Sequence, residues 1–487
     1  MPTKDLYKLS AEELNKGFVR GLFSAEEIAS HFLDRINSID PFVNAFIDVF
    51  SDIIEKGRKL DERRARGEAF GKLAAVPISI KDLIHVQGKK TTCASNLMKE
   101  YVAPFNATVV EHMVKEDALL IGKVNLDEFG MGALGANSAF SITKNPWDTS
   151  RFAGGSSSGS AASVSARMCP LSLGSDTGGS TRFPASFCGI YGFKPSYGSI
   201  SRYGLVSFAS SLEQIGLFSH SPEDLKLLFS CINRDCKFDA QWKKSEVNTG
   251  VNRPFKEVSI GWTPDLFDES SQEAAQCVNK AVQQLQAAGA KLVPLRPYPL
   301  STWINAPIAY QIICCSEASS NLSRFDGIRF GKQITKPSFA DTVSATRAKG
   351  FGREVKTRII AGTYFLSSMQ KKNYYSAALE EVMRLKELYR NIFNKVDFLL
   401  MPSASSTAIP IGTKLSSKER HYLDVYTCPV NLAGLASLSF PVLLWENGLP
   451  INCQLIAPKG HDLHILNLAN QLKELFPVME PNMDLSK

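Results

Sequence analysis

Short apolar runs alternating with amphipathic stretches predict an α/β protein built in layers. Three observations carry that prediction. Val76-Pro77-Ile78-Ser79-Ile80-Lys81 is a nearly continuous apolar run of buried-strand length. Residues 109–120 have helical spacing, and residues 118–123 have the texture of a strand following it. Residues 257–293 repeat the alternation as strand, helix (271–288) and strand.

The elements follow in chain order. Ser10-Ala11-Glu12-Glu13 and Ser24-Ala25-Glu26-Glu27 both fit the capping box, in which serine and glutamate satisfy free backbone N–H groups at a helix start. Ile28, Phe32 and Ile36 then recur at helical spacing, and Pro41 is expected to follow that helix, where the chain turns. Residues 130–215 are rich in Gly and Ser, yet Phe152, Phe183, Phe187, Tyr191 and Phe193 interrupt them, which a flexible linker would not need. Residues 354–395 read as long helices, Phe398-Leu399-Leu400-Met401 as a buried strand ended by Pro402, and residues 463–476 as a last amphipathic helix. With no internal repeat and no linker, one domain over 1–487 is expected, with 1–65 a helical N-terminal segment packed on it.

Composition narrows the function classes. Apolar residues make up 44% and charged residues 21%, as in an ordinary soluble globular protein. The net charge of +7 is spread along the chain without a dense basic block, which reads as a solvated surface. Ten cysteines form no CxxC pair and seven histidines no HExxH, so no metal site is expected; most cysteines sit in apolar company, pointing to a reducing compartment. The N-terminus lacks the apolar core of a signal peptide, and no apolar run reaches membrane-spanning length.

Three segments carry chemistry: Ile78-Ser79-Ile80-Lys81-Asp82; Gly154-Gly155-Ser156-Ser157-Ser158-Gly159-Ser160; and Gly174-Ser175-Asp176-Thr177-Gly178-Gly179-Ser180. A lysine on an apolar strand loses hydration, which disfavours its charged form and frees it to act as a base. In an extended strand Asp82 points to the opposite face. Alone, Lys81 reads rather as a strand-end lysine whose amine reaches water. Glycine-rich turns let backbone N–H groups converge on an anion, and Thr177, Gly178, Gly179 and Ser180 can supply such a nest, with Ser180 also supplying an attacking oxygen. A serine nucleophile needs a partner base. No histidine lies in the three segments, so a serine-to-lysine relay takes that role. Each Gly/Ser run alone reads as a loop or a helix start that binds nothing.

Competing motifs are weaker. Gly155-Ser156-Ser157-Ser158-Gly159 satisfies GxSxG around Ser157, but a nucleophile elbow follows a strand directly, and Asn145-Pro146-Trp147-Asp148 reads as a turn. Ser141-Ile142-Thr143-Lys144 satisfies the short SxxK pattern. No GxxxxGK[ST] is present, so ATP use by this chain is not expected.

The second and third segments closely resemble the amidase signature family, with its Gly/Ser-rich GGSSGGSAA stretch followed by GSDTGGS. The resemblance implies that family's fold, a large mixed β-sheet sandwiched between helices. It implies a catalytic lysine at Lys81, a serine preceded by a cis peptide bond at Ser156, and the nucleophile at Ser180. Asn125-Leu126-Asp127-Glu128-Phe129, Arg324-Phe325-Asp326-Gly327 and Pro429-Val430-Asn431-Leu432-Ala433-Gly434-Leu435, among other segments, are similar to the branch that hydrolyses glutamine for tRNA-dependent amidotransferases.

That branch implies B and C partner subunits in a heterotrimer, with aminoacyl-tRNA held mainly by B. It implies no cofactor in this chain, ATP and Mg on the partner subunit, no membrane, and a cytoplasmic or organelle-matrix setting. It places the glutamine carboxylate on Arg358 and the α-amino group on Asp424, and puts Phe330 where a tyrosine commonly lines the glutamine site. The physics suits the two charges, since a guanidinium grips a carboxylate through paired bonds and a carboxylate pairs with an ammonium. Ser158 replaces a family glycine, Phe152-Ala153 stands where Val-Pro is common, and Ala436 replaces a proline. Two other readings stand beside this one: a stand-alone amidase acting on another small amide, and a non-catalytic scaffold.

Overall fold

Both serine caps form as their spacing predicts. Ser10 Oγ accepts from Glu13 N–H at 3.2 Å while Ser10 N–H donates to the Glu13 carboxylate at 2.8 Å, and Ser24 and Glu27 repeat the exchange at 2.9 and 2.6 Å. The computed structural model describes residues 5–243, 253–267 and 270–483; residues 1–4, the start of the N-terminal segment read above, lie outside the described residues. The second helix, Ala25–Val43, does not stop before Pro41 but runs through it to a left-handed Asn44. Pro41 sits in the last turn, where it costs one bond of the ladder without ending the helix. The exit is set instead by Asp40, whose carboxylate accepts from Ala45 N–H at 2.6 Å.

Thirteen strands are found among the described residues: β1 (Phe46–Val49), β2 (Pro77–Lys81), β3 (Leu119–Val124), β4 (Lys144–Asn145), β5 (Asp148–Phe152), β6 (Leu171–Asp176), β7 (Tyr191–Lys194), β8 (Gln214–Ser219), β9 (Ser259–Trp262), β10 (Lys291–Pro294), β11 (Phe398–Pro402), β12 (Ala436–Leu444) and β13 (Pro450–Ala457). Eleven form one sheet in the order β1-β3-β2-β6-β8-β7-β12-β13-β11-β9-β10, and β4 and β5 form a separate hairpin. The sheet is mixed: β3-β2-β6 are parallel, β6-β8-β7-β12-β13-β11 run antiparallel step by step, and β11-β9-β10 are parallel again. Helices cover it, so the α/β layering stands. The helix expected over 109–120 is shorter, Thr108–Lys115, because Leu119 and Leu120 are taken into the ladder opposite Pro77 and Ile78. Tertiary pairing overrides helical periodicity there. The 145–148 turn is the tip of the β4–β5 hairpin, so a strand does precede the second Gly/Ser segment. Among the described residues no helix is long and apolar enough to cross a membrane.

Two features of this frame position the site. First, β2 and β6 are parallel neighbours in register, Ser79 opposite Ser172 and Ile80 opposite Leu173, so Lys81 at the end of β2 comes beside the last residues of β6, its amine 2.8 Å from Ser175 Oγ. Alternation puts Ser79 and Lys81 on one face of β2. That face meets the helix Ser158–Ser165, made only of Ser, Gly, Ala and Val and wholly buried, with Ser79 Oγ 3.2 Å from Ser163 Oγ and 2.7 Å from Ser172 Oγ. Small side chains let the helix backbone approach: a Cβ on Gly159 would stand 2.4 Å from Ala45 O.

Second, the helices Ala306–Asn321 and Arg353–Leu366 touch backbone to backbone, a Cβ on Gly362 falling 1.9 Å from Cys315 O. Gly362→Ala should therefore destabilise the protein by about 1–3 kcal/mol through overpacking. A thermal unfolding midpoint equal to that of the parent would show that the two helices do not need this close approach.

Candidate active site

Lys81 ends β2 with its amine wholly buried and ringed by three hydroxyls, Ser156, Ser157 and Ser175, each at 2.8 Å. Burial lowers its pKa from 10.5 to about 7, even though the charges of Asp127 and Asp176 act in the opposite direction. Asp82 points to the other face, where it pairs with buried Lys123 at 2.9 Å and so does not hold Lys81 charged. At neutral pH a large share of Lys81 is thus a free amine facing hydroxyl protons.

Ser156 follows a cis peptide bond from Gly155. Its carbonyl accepts from Asp127 N–H at 3.2 Å, and Gly155 N–H donates to Ala133 O at 2.7 Å, so the segment is held from both sides. Ser157 is no exposed elbow: it is wholly buried, and its hydroxyl donates to Ser175 O at 3.0 Å. Ser158, the departure from the family glycine, is accommodated 3.3 Å from Thr143 Oγ1.

Ser180 lies on the turn after β6. It is 7% exposed, lines a cavity of about 500 Å³, and its hydroxyl has no hydrogen-bond partner among the described residues. Of the four candidate N–H donors, Gly179 is already committed, donating to Asp176 Oδ1 at 2.9 Å. Thr177, Gly178 and Ser180 have no partner for their N–H groups among the described residues. Three of the four N–H groups are thus left for a ligand, and Gly179 folds the turn at φ +137°.

Asp176 organises that turn. Besides Gly179 N–H it accepts from Thr181 N–H at 3.0 Å, Asn431 Nδ2 at 2.9 Å and Arg182 through two bonds at 3.0 and 3.2 Å. Burial alone would raise its pKa; the Arg182 charge and the hydrogen bonds outweigh that and hold it at about 2. Arg182, also wholly buried, spends its remaining donors on Gln454, Thr427 O and Asn431.

The cavity beyond Ser180 is lined by Tyr310, Arg358 and Asp424. Arg358 is held by Glu354, one helical turn earlier, at 2.8 Å. The Asp424 carboxylate has no partner among the described residues, and burial pushes its pKa up to about 7 despite Arg358. A half-buried carboxylate in that condition suits a cationic ligand. Phe330 is not brought to this cavity: its ring packs on Tyr101 and Phe325 at 5.9 and 5.5 Å. The tyrosine in the cavity is Tyr310, packed so closely on the nucleophile turn that a Cβ on Gly178 would fall 2.6 Å from its ring. Tyr310, Ser157, Ser175 and Arg182 were not singled out from sequence. Ser157 and Ser175 belong to quoted segments, whereas nothing in the spacing around Tyr310 marks it.

The Amidase family model matches residues 27–466. The chain is 43% identical to the A subunit of glutamyl-tRNA(Gln) amidotransferase from Symbiobacterium thermophilum, over 95% of each chain, and 40% identical to its counterpart from Chlamydia pneumoniae, over 97% of each. Among solved structures, that of the same subunit from Thermotoga maritima covers 99% of each chain at 32% identity with a TM-score of 0.79. The peptide amidase of Stenotrophomonas maltophilia, 21% identical with a TM-score of 0.81 over 97% of this chain and 98% of that one, shares the fold.

The Asp176–Arg182 pair gives a direct test. Arg182→Met should cost about 3–5 kcal/mol at neutral pH, because a buried carboxylate is left uncompensated. The deficit should shrink at lower pH, as an Asp176 freed from Arg182 takes up a proton more readily than one held at about 2. A deficit that stays constant between pH 7 and pH 5 would sink this account.

Proposed function

Because this chain belongs to the amidase family, we propose that it is the glutamine-hydrolysing subunit of a tRNA-dependent amidotransferase and acts through Lys81, Ser156 and Ser180. The observation that carries the reading is one cavity lined by an unpartnered serine hydroxyl, a guanidinium and an unpartnered carboxylate. Glutamine has the matching amide, carboxylate and ammonium.

In this mechanism neutral Lys81 takes a proton from Ser156 as Ser156 takes one from Ser180. The Ser180 oxygen attacks the side-chain amide carbon of glutamine. Negative charge developing on the amide oxygen is met by the N–H groups of Thr177, Gly178 and Ser180, at about 3–4 kcal/mol per donor in comparable sites. The proton returns through Ser156 to the leaving nitrogen, ammonia departs, and water attacks the acyl-serine to release glutamate. Arg358 holds the substrate carboxylate, Asp424 its ammonium, and Tyr310 closes the cavity wall. A bound ammonium would return the Asp424 pKa toward the usual carboxylate range.

The ammonia serves a B subunit that uses ATP and Mg to amidate aminoacyl-tRNA, with a C subunit joining the two. The relatives are named as A subunits of an amidotransferase, which supports an assembly of this kind. The chain is taken as one amidase domain over 1–487, its N-terminal segment to residue 65 mainly helical among the described residues but contributing β1 to the sheet. The family match over 27–466 and the single eleven-stranded sheet support that. A cytoplasmic or organelle-matrix setting accords with ten free cysteines.

With partner subunits present, Ser180→Ala should abolish glutaminase turnover, and unchanged turnover would sink the nucleophile assignment. Lys81→Ala should lose at least ~100-fold. In the parent, kcat/KM should rise with pH through an apparent pKa of about 7, since the lowered lysine pKa makes the deprotonated, active form the high-pH form. An acid limb absent from the parent profile would count against a lysine base. Asp424→Asn should raise KM for glutamine by about 10-fold or more, the cost of losing a charge-assisted bond. It should leave butyramide, which has neither an α-amino nor an α-carboxyl group, unaffected. Equal losses on both substrates would favour a stand-alone amidase of another specificity.

A further inference from the structure

Glu128 is a buried carboxylate that the mechanism above does not use. Its burial pushes its pKa up to about 7, so keeping it there has a cost that something must offset. Its contacts are specific. One oxygen accepts from Gly352 N–H at 2.8 Å, and the other takes the Ser95 hydroxyl, which also lies 3.3 Å from Gly350 O. Gly352 is the N-cap of Arg353–Leu366, the helix that carries Arg358, and it has no side chain with which to cap it. Glu128, from a distant part of the chain, accepts from the N–H of that N-cap residue, the bond an N3 glutamate makes in a capping box. The approach is so close that a Cβ on residue 352 would stand 2.3 Å from the carboxylate oxygen.

The neighbouring residue faces the other way. Asp127 donates its N–H to Ser156 O at 3.2 Å, and its carboxylate accepts from Gly135 and Asn137 N–H, both at 2.9 Å. Two consecutive residues therefore grip the relay serine on one side and the N-terminus of the Arg358 helix on the other. We infer that Glu128 is a positioning residue that fixes the Arg358 helix relative to Ser156 and Ser180, setting how far the bound carboxylate lies from the attacked amide. The inference rests on the reading of Arg358 as the carboxylate clamp.

The test uses the full-length chain with its partner subunits and compares glutamine with butyramide, which has the same amide but no carboxylate. Glu128→Ala should raise KM for glutamine by about 10- to 100-fold, the range over which supporting contacts usually act. It should leave kcat/KM for butyramide within about twofold, since Asp127 still holds Ser156. Glu128→Gln should recover most of the loss, because the amide oxygen still accepts from Gly352 N–H. An unmoved glutamine KM in Glu128→Ala, parallel losses on both amides, or a glutamine variant as impaired as the alanine one would each overturn the inference. Arg358→Lys serves as the control: if it too leaves the glutamine KM unmoved, the clamp reading itself falls and this inference with it.

Discussion

An amine taken wholly out of water and given three serine hydroxyls is the constraint on which the rest of this site depends. In water Lys81 would be protonated and useless as a base; at the end of β2, with burial lowering its pKa to about 7, it accepts protons at physiological pH. The hydroxyls matter as much as the burial. They satisfy the amine without a formal negative charge, so solvation is replaced while the base remains available. A carboxylate in the same place would have restored the positive charge; Asp82, the next residue, is drawn away by Lys123, and the charges of Asp127 and Asp176 do not offset the burial.

The nucleophile turn follows the opposite rule. Asp176 and Arg182 are both wholly buried and both charged, and the pair is tolerated because nearly every remaining donor and acceptor is used. Its effect is geometric. By taking Gly179 and Thr181 N–H, Asp176 folds a turn in which the N–H groups of Thr177, Gly178 and Ser180 have no partner among the described residues, with Gly178 and Ser180 lining the cavity. Neutral and ionic polar clusters thus sit a few residues apart, one around the Lys81 amine and the other folding the turn that carries Ser180.

Much of this was legible in the chain before folding was considered. The serine caps, the β2 run and the strand–helix–strand of 257–293 are local patterns with local causes, and all appear as elements. The misses have a common origin. Pro41 did not end its helix because Asp40 offered a better exit. The 109–120 helix was cut short because β3 was needed in the ladder. Gly179 N–H looked available until Asp176 claimed it, and Phe330 looked like a cavity residue until it packed on Tyr101 and Phe325. In each case a partner distant in sequence, or a side chain whose direction sequence does not specify, decided the outcome.

The amino-acid sequence by itself determined the layered fold class, because periodicity and strand alternation are properties of consecutive residues, and its resemblance to the amidase signature family pointed to Lys81, Ser156 and Ser180. It did not determine the depressed lysine pKa, since that requires the amine to be enclosed by groups 75 to 94 residues away. Nor did it determine which residues line the cavity. Tyr310, Arg358 and Asp424 come from separate helical segments and a cap, brought together only when the helices Ala306–Asn321 and Arg353–Leu366 close to backbone contact at Gly362. Desolvation and convergence arise from packing, and packing exists only in the folded chain.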